Sequence, residues 1–279
     1  MIHNQLKTVL LLGALTALLM VVGGILGGSG GLLLGLIMAF LMNILTFWFS
    51  DKIVLWMYGA KEVNPKNAPR LHKLVDKAVH AVGIPKPKVY MIHSQAPNAF
   101  ATGRSPSHAA IAATEGILML LDDEELVGVL AHEASHIRNR DTLVATIAAC
   151  IAGLILYVGS IVRWTALFGS DRDDKGSGLE LLVLGILTPL LALLLQLAIS
   201  RSREYLADET GARAIKNPKA LAHALQKLHK GVAMVPWMGN STAASLFIVN
   251  PFSGQALLSL LSTHPPMEKR IARLNEIKF

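Results

Sequence analysis

The sequence predicts a mainly α membrane protein, four membrane-spanning helices carrying a small α+β domain, and three observations predict it. Only 16% of the 279 residues are charged, against about a quarter in ordinary globular chains, and the mean hydropathy is +0.47. The charges are clustered, which leaves residues 8–50, 143–162 and 181–200 without any. Between and after these runs, residues 51–142 and 201–279 are mixed in polarity and belong in water.

The first run is long enough for two helices of about 20 residues. Gly27-Gly28-Ser29-Gly30-Gly31 interrupts it and reads as a tight turn. Residues 1–50 therefore form a hairpin with spans at 9–26 and 32–49. A cleaved signal peptide competes for the first span, since Lys7 precedes an apolar core. That core is long, however, and the second span follows at once.

Within residues 51–142, helical periodicity covers 68–82 and stops at Gly83-Ile84-Pro85-Lys86-Pro87. Short strands follow at 89–92, 99–101 and 109–113, separated by turn residues. Asp122 then offers an N-cap, Glu124 and Glu125 occupy the first turn, and a helix runs through Arg140. Residues 143–200 make the second hairpin, with spans at 143–162 and 181–200 and a polar loop at 170–178. Pro189 and Gln196 lie inside the fourth span, where neighbouring helices can satisfy freed backbone groups. A buried soluble hairpin is the alternative; the length and apolarity of the runs favour spanning. In residues 201–279, helices are predicted over 203–215, 218–230 and 266–276.

An even number of spans separates the two polar segments, so both emerge on one side. Lys52, Lys61, Arg138, Arg140, Arg201 and Arg203 crowd the membrane there. The opposite loop carries Arg163, Arg172 and Lys175 diluted by acids. Basic residues mark the cytoplasmic face, and the shared side is read as cytoplasmic. The net charge of +7 comes with no nucleic-acid motif or aromatic-rich basic stripe, which excludes nucleic acid as a partner and leaves membrane lipid. Cys150 is the single cysteine, so there is no internal disulfide and no cysteine cluster for a metal. Any metal must be held by histidine and carboxylate.

Such a set exists. Leu130-Ala131-His132-Glu133-Ala134-Ser135-His136-Ile137 contains H-E-x-x-H on a predicted helix. Residues four apart share a helix face, so His132 and His136 can present two imidazoles to one ion. Glu133, offset by one, can take the proton of a water that the ion acidifies as it attacks a carbonyl. The competing reading is an amphipathic helix with two solvated histidines, and the apolar Leu130, Ala131 and Ala134 argue against it. Zinc chemistry needs a third protein ligand and an open position. The acidic candidates are Glu204 and Asp208, again four apart. One can bind the ion while the other accepts the outer N–H of a ligating histidine. A plain hairpin of the third and fourth spans returns them to the histidines.

Ala131-His-Glu-Ala-Ser-His-Ile-Arg-Asn-Arg-Asp141 and Ser200-Arg-Ser-Arg-Glu-Tyr-Leu-Ala-Asp-Glu-Thr-Gly-Ala212 resemble the HtpX heat-shock protease family and, more distantly, the CAAX prenyl endopeptidases. The resemblance covers nearly the whole chain. It implies a zincin-like (gluzincin) protease domain and one Zn2+ on His132, His136 and Glu204. Glu133 is then catalytic, and Asp208 supports a histidine. It also implies a multi-pass enzyme of the bacterial inner membrane whose cytoplasmic active site degrades damaged or misfolded membrane proteins. Asn98-Ala-Phe-Ala-Thr-Gly103 resembles the family's edge strand, where substrate lies extended, with Asn98 a candidate contact. Thr263-His264-Pro265-Pro266 resembles a C-terminal motif in which His264 stabilises an oxyanion or binds substrate backbone. The rivals are a narrow CAAX-type processing peptidase, a silent scaffold with structural zinc, and a small transporter. Four spans disfavour the first, and Glu133 beside an open ligand position disfavours the second. Spans nearly free of ionisable groups disfavour the third.

Overall fold

Helix α1 (Ile2–Met57) opens the chain as two limbs broken at Gly27 and Gly28, the two residues inside it whose backbones leave helical geometry. Gly28 sits at φ 56°, a left-handed conformation that glycine adopts without steric cost. The limbs fold back on each other: Asn43 Nδ2 donates to Thr16 Oγ1 at 2.9 Å and to the Leu12 carbonyl at 3.4 Å. The turn expected over 27–31 is thus only two residues, and the helix runs on to Met57 rather than ending at 49. The limb Gly27–Met57 is long and apolar enough to cross a membrane. It is apolar all round, with Leu34 and Phe40 63% and 66% exposed, the pattern of a helix that needs an apolar environment on every side.

The computed structural model describes residues 2–151, 201–235, 246, 248 and 265–279. Of the second predicted hairpin, only helix α5 (Thr142–Ile151) belongs to these residues. Val144, Ile147 and Ile151 of α5 pack on Leu11, Leu15 and Leu18 of the first limb of α1. The remainder of the third span, the 170–178 loop, the fourth span and His264 lie outside the described residues.

The polar segments build an α+β domain. Strands β1 (Lys61–Glu62), β2 (Lys88–Ile92), β3 (Ala99–Ser105) and β4 (His108–Thr114) form one sheet in the order β1-β2-β4-β3. The β2–β4 pair is parallel and the other two pairs are antiparallel. Helix α2 (Pro69–Val82) follows β1 and stops at Gly83, as its sequence predicts. β3 and β4 outrun their predicted lengths because each supplies the other's hydrogen bonds down to the turn, through pairs such as Thr102 with Ala110. β1 was not anticipated, since two residues carry no period. Nor was the short helix α3 (Glu115–Leu120), capped by the Thr114 side chain.

Helix α4 (Asp123–Arg138) starts from a reciprocal capping box between Asp122 and Glu125. It ends two residues short of Arg140, whose φ of 58° departs from helical geometry. Among the described residues, helices α6 (Arg201–Ala214), α7 (Pro218–Met234) and α8 (Met267–Asn275) make up the rest of the domain. α4 is its axis. Leu126, Val129, Leu130 and Ile137 are buried with Leu71, Val75 and Val79 of α2, Ile111 of β4, and Leu221 and Leu225 of α7. A helix buried on most of its surface is held in a fixed pose, and α4 carries the H-E-x-x-H residues.

Candidate metal centre

His132 and His136 project from one face of α4, as a four-residue spacing requires. Their Nε2 atoms lie 3.2 Å apart. α6 delivers the third donor. It can lie close against α4 because Gly211 has no side chain: a Cβ there would stand 2.9 Å from the carbonyl carbon of Ala131 and the amide nitrogen of His132. Glu204 then places Oε1 3.4 Å from His136 Nε2 and Oε2 3.8 Å from His132 Nε2. These ligand atoms all fall within 4.8 Å of one another.

The donors fit a metal. Bonds of about 2.0–2.2 Å in tetrahedral geometry set neighbouring donor atoms about 3.3 Å apart; the 3.2 Å between the imidazoles and the 3.4 and 3.8 Å from them to the two Glu204 oxygens lie near that value. The outer ring nitrogens face carboxylates: His132 Nδ1 is 2.9 Å from Asp208 Oδ1 and His136 Nδ1 is 3.4 Å from Asp141 Oδ2. Protons held on the Nδ1 side would leave both Nε2 atoms facing one point, where a bound cation would take the place of the proton that His136 carries in the metal-free chain. The structure thus brings together all three sequence-predicted ligands, with Asp208 where a supporting carboxylate should be.

Glu133 is 2% exposed, and its Oε2 accepts a hydrogen bond from the Ala101 N–H of β3 at 2.8 Å. This contact fixes the outer edge of β3 beside the metal ligands. One position up that edge, the Ala99 carbonyl accepts from Ile248 N–H at 3.3 Å. Asn98 stands at the head of the strand, 1% exposed. Its main-chain N–H donates to Thr114 Oγ1, and its side-chain oxygen accepts from Ala99 N–H.

Two partners of the site were given no role from the sequence, although Asp141 ends the metal-helix motif and Arg270 follows Thr263-His264-Pro265-Pro266 in the C-terminal one. Arg270 of α8 is 1% exposed. Its Nε and Nη2 donate to the two oxygens of Asp208 at 2.8 and 2.7 Å, and its Nη1 donates to the Ile248 carbonyl at 3.0 Å. The signal was a cation in helical phase with Leu274, the two forming the buried face of α8. Asp141 is the other, an acid set directly between the metal helix and an apolar run.

Burial pushes the Glu133 carboxyl up to about 8, Glu204 adding to the rise while His136, Ala101 and Arg270 oppose it. Burial alone would depress His136, but the hydrogen bond to Asp141 and the charge of Glu204 lift it to about 9. Burial dominates at His132 and lowers it, against the opposing pull of Asp208. Asp208 is itself held below the ordinary carboxylate value: burial raises it, and Arg270 and His132 together outweigh that.

The model of peptidase family M48 matches residues 65–278. Among curated relatives, a protease HtpX homolog of Desulforapulum autotrophicum is 50% identical over 275 residues, covering 97% of this chain and 89% of its own. One of Desulfatibacillum aliphaticivorans is 52% identical with the same coverage. One of Pyrococcus abyssi is 50% identical, covering 98% and 95%. Among solved structures, S. mikatae Ste24p matches at 18% identity and a TM-score of 0.49, over 98% of this chain and 65% of that one; so loose a likeness adds nothing to the assignment. Identity of one residue in two, sustained beyond the metal helices to nearly the full length, has one reading: the chain belongs to peptidase family M48, among the membrane metalloproteases of the HtpX type.

Proposed function

We propose that the chain is a zinc endopeptidase that cleaves damaged or misfolded membrane proteins from the cytoplasmic face of the bacterial inner membrane. It is held there by four spans grouped as residues 1–50 and 143–200. The protease domain is drawn from residues 51–142 and 201–279. The convergence of His132, His136 and Glu204 beside both Glu133 and the β3 edge carries this reading. Two imidazoles and one carboxylate with a fourth position open are the donor set of a catalytic rather than a structural zinc site. Bound there, zinc would polarise a peptide carbonyl and acidify water.

The protein's own groups do the rest. The β3 edge offers main-chain donors and acceptors to an extended substrate; the Ala99 carbonyl becomes available once Ile248 lets go of it, and Asn98 anchors the head of the strand. Glu133, tethered through Ala101, takes the proton from the attacking water and returns it to the leaving amine. Asp208 and Asp141 keep the two imidazoles in the tautomer that leaves Nε2 bare. His264 is assigned to the oxyanion or the substrate backbone. An edge strand that reads main chain rather than side chains suits unfolded substrates of varied sequence, which supports a quality-control role over narrow processing.

The test measures zinc stoichiometry and cleavage of an unfolded membrane-protein substrate in purified variants. Glu133→Gln should keep its zinc and lose about 10²–10⁴ in rate. Glu204→Ala should lose the metal with the fold retained. Normal cleavage by the first, or an undiminished zinc content in the second, overturns the assigned roles.

A further inference from the structure

A cavity of about 390 Å³ lies away from the metal centre, between the far end of α1 and the β3–β4 hairpin. That volume is in the range of small-ligand pockets. Its wall on the α1 side is Trp48, Phe49 and Leu55, and its other wall includes Lys86, Lys88, Arg104 and His108. Four of its lining residues are lysine or arginine, and Asp51 is the sole acid among them.

The cations are not equivalent. Lys86 is paired with Asp76 at 2.8 Å and Lys88 with Glu62 at 3.1 Å, both carboxylates outside the cavity. Lys52 and Arg104 have no carboxylate within ion-pair distance among the described residues. They rest instead on aromatic faces, Lys52 Nζ 5.4 Å from the centre of the Phe49 ring and Arg104 Cζ 4.5 Å from that of Trp48. Two cations resting on aromatic faces, with Asp51 the one carboxylate lining the cavity against four basic residues, leave a positive potential there, which an anion would satisfy.

Position along the chain says which anion. The uncharged run of the second limb ends at Ser50, and Trp48 and Phe49 are half-exposed at its end. Aromatic residues at the end of a span lie at the headgroup level of a bilayer, so Lys52 and Arg104 stand where lipid phosphates are. The Trp48 and Phe49 faces are already taken by these cations, so they form no aromatic cage for the quaternary amine of a choline headgroup. We propose that this pocket binds the phosphate headgroup of an anionic phospholipid, with its acyl chains running along the second limb of α1. The proposal rests on that limb spanning the bilayer. A lipid seated here would tie the β3–β4 hairpin, and with it the substrate edge, to the membrane surface.

The experiment uses the full chain in neutral detergent, titrated separately with phosphatidylglycerol, phosphatidylcholine and free glycerol phosphate, with occupancy read by native mass spectrometry. Phosphatidylglycerol should bind in preference to both other probes. Lys52→Gln and Arg104→Gln should each weaken it about fivefold, the step expected for one basic residue at an anionic membrane surface. Lys73→Gln, an exposed charge on α2, should not. Thermal melts confirm that the variants are folded. Equal binding of phosphatidylcholine, equal binding of glycerol phosphate, or losses no greater in the two pocket variants than in Lys73→Gln would each overturn the proposal. Alkaline extraction of native membranes tests the spanning limb separately, so a chain that stays in the bilayer but shows no lipid preference fails this inference alone.

Discussion

Proton accounting at His136 makes the metal site sensitive to pH. Its imidazole is raised to about 9 in the metal-free chain, whereas a metal ligand must be bare. At neutral pH one proton therefore has to leave as the ion enters. Calorimetry in buffers of different ionisation enthalpy should register its release, and apparent metal affinity should climb with pH until about 9. The metal-free fold runs the other way. A group whose folded pKa is raised contributes stability below its unfolded value and loses it as pH rises. For His136 that loss falls between about 6.5 and 9, and for Glu133 between about 4.5 and 8. The gap in melting temperature between loaded and metal-free chain should widen across that window; a constant gap would show that neither group holds its proton. Asp208 acts through His132 rather than on the substrate. Asp208→Asn should lower metal affinity about 10–100-fold, as measured against a competing chelator. An unchanged affinity would mean that the 2.9 Å contact does not orient the ring.

Elements transmit these demands through packing. α6 delivers Glu204 and Asp208 only because Gly211 meets the backbone of α4 without a side chain. Gly211→Val should push the two helices apart and destabilise the fold by about 1–3 kcal/mol. Its effect on zinc content should be larger than that of an equally destabilising change elsewhere in α6. Denaturant melts alongside metal analysis separate the two, and a variant with full zinc would show that the close approach does not set the site. The elements also show how far local sequence reaches. α2 and α4 were legible because capping residues and a period of 3.6 bound them, and α4 announced its chemistry through two histidines four apart. β1 was illegible because its two residues exist as a strand only through pairing with β2. The full length of β3 was hidden likewise, since its outer residues are strand by virtue of their partners on β4.

At the scale of the whole molecule, the site joins residues from three separated stretches: His132 and His136 before the predicted second hairpin, Glu204 and Asp208 after it, and Arg270 near the C-terminus. Their meeting requires Ser135 and Tyr205 to share a compartment. Cysteine variants at Lys77 and Lys269, both exposed and one on each polar segment, should react alike with a membrane-impermeant thiol reagent in inside-out vesicles and be protected in intact cells. Opposite labelling of the two would separate the halves of the metal centre and dismantle the assignment.

By itself the sequence favoured lipid as the surroundings of its long uncharged runs, since their length and apolarity suit a bilayer better than a small protein core. It also determined that two imidazoles and a neighbouring carboxylate share one helix, because helical spacing is a local property. The convergence of donors was a matter for tertiary structure alone. Nothing local distinguishes Glu204 from Asp208, which are equally acidic and one turn apart. Only the pose of α6 on α4 turns one towards both Nε2 atoms and the other towards His132 Nδ1. Arg270 was beyond local reading for the same reason: a buried cation is intelligible only once the carboxylate it neutralises is seen beside it.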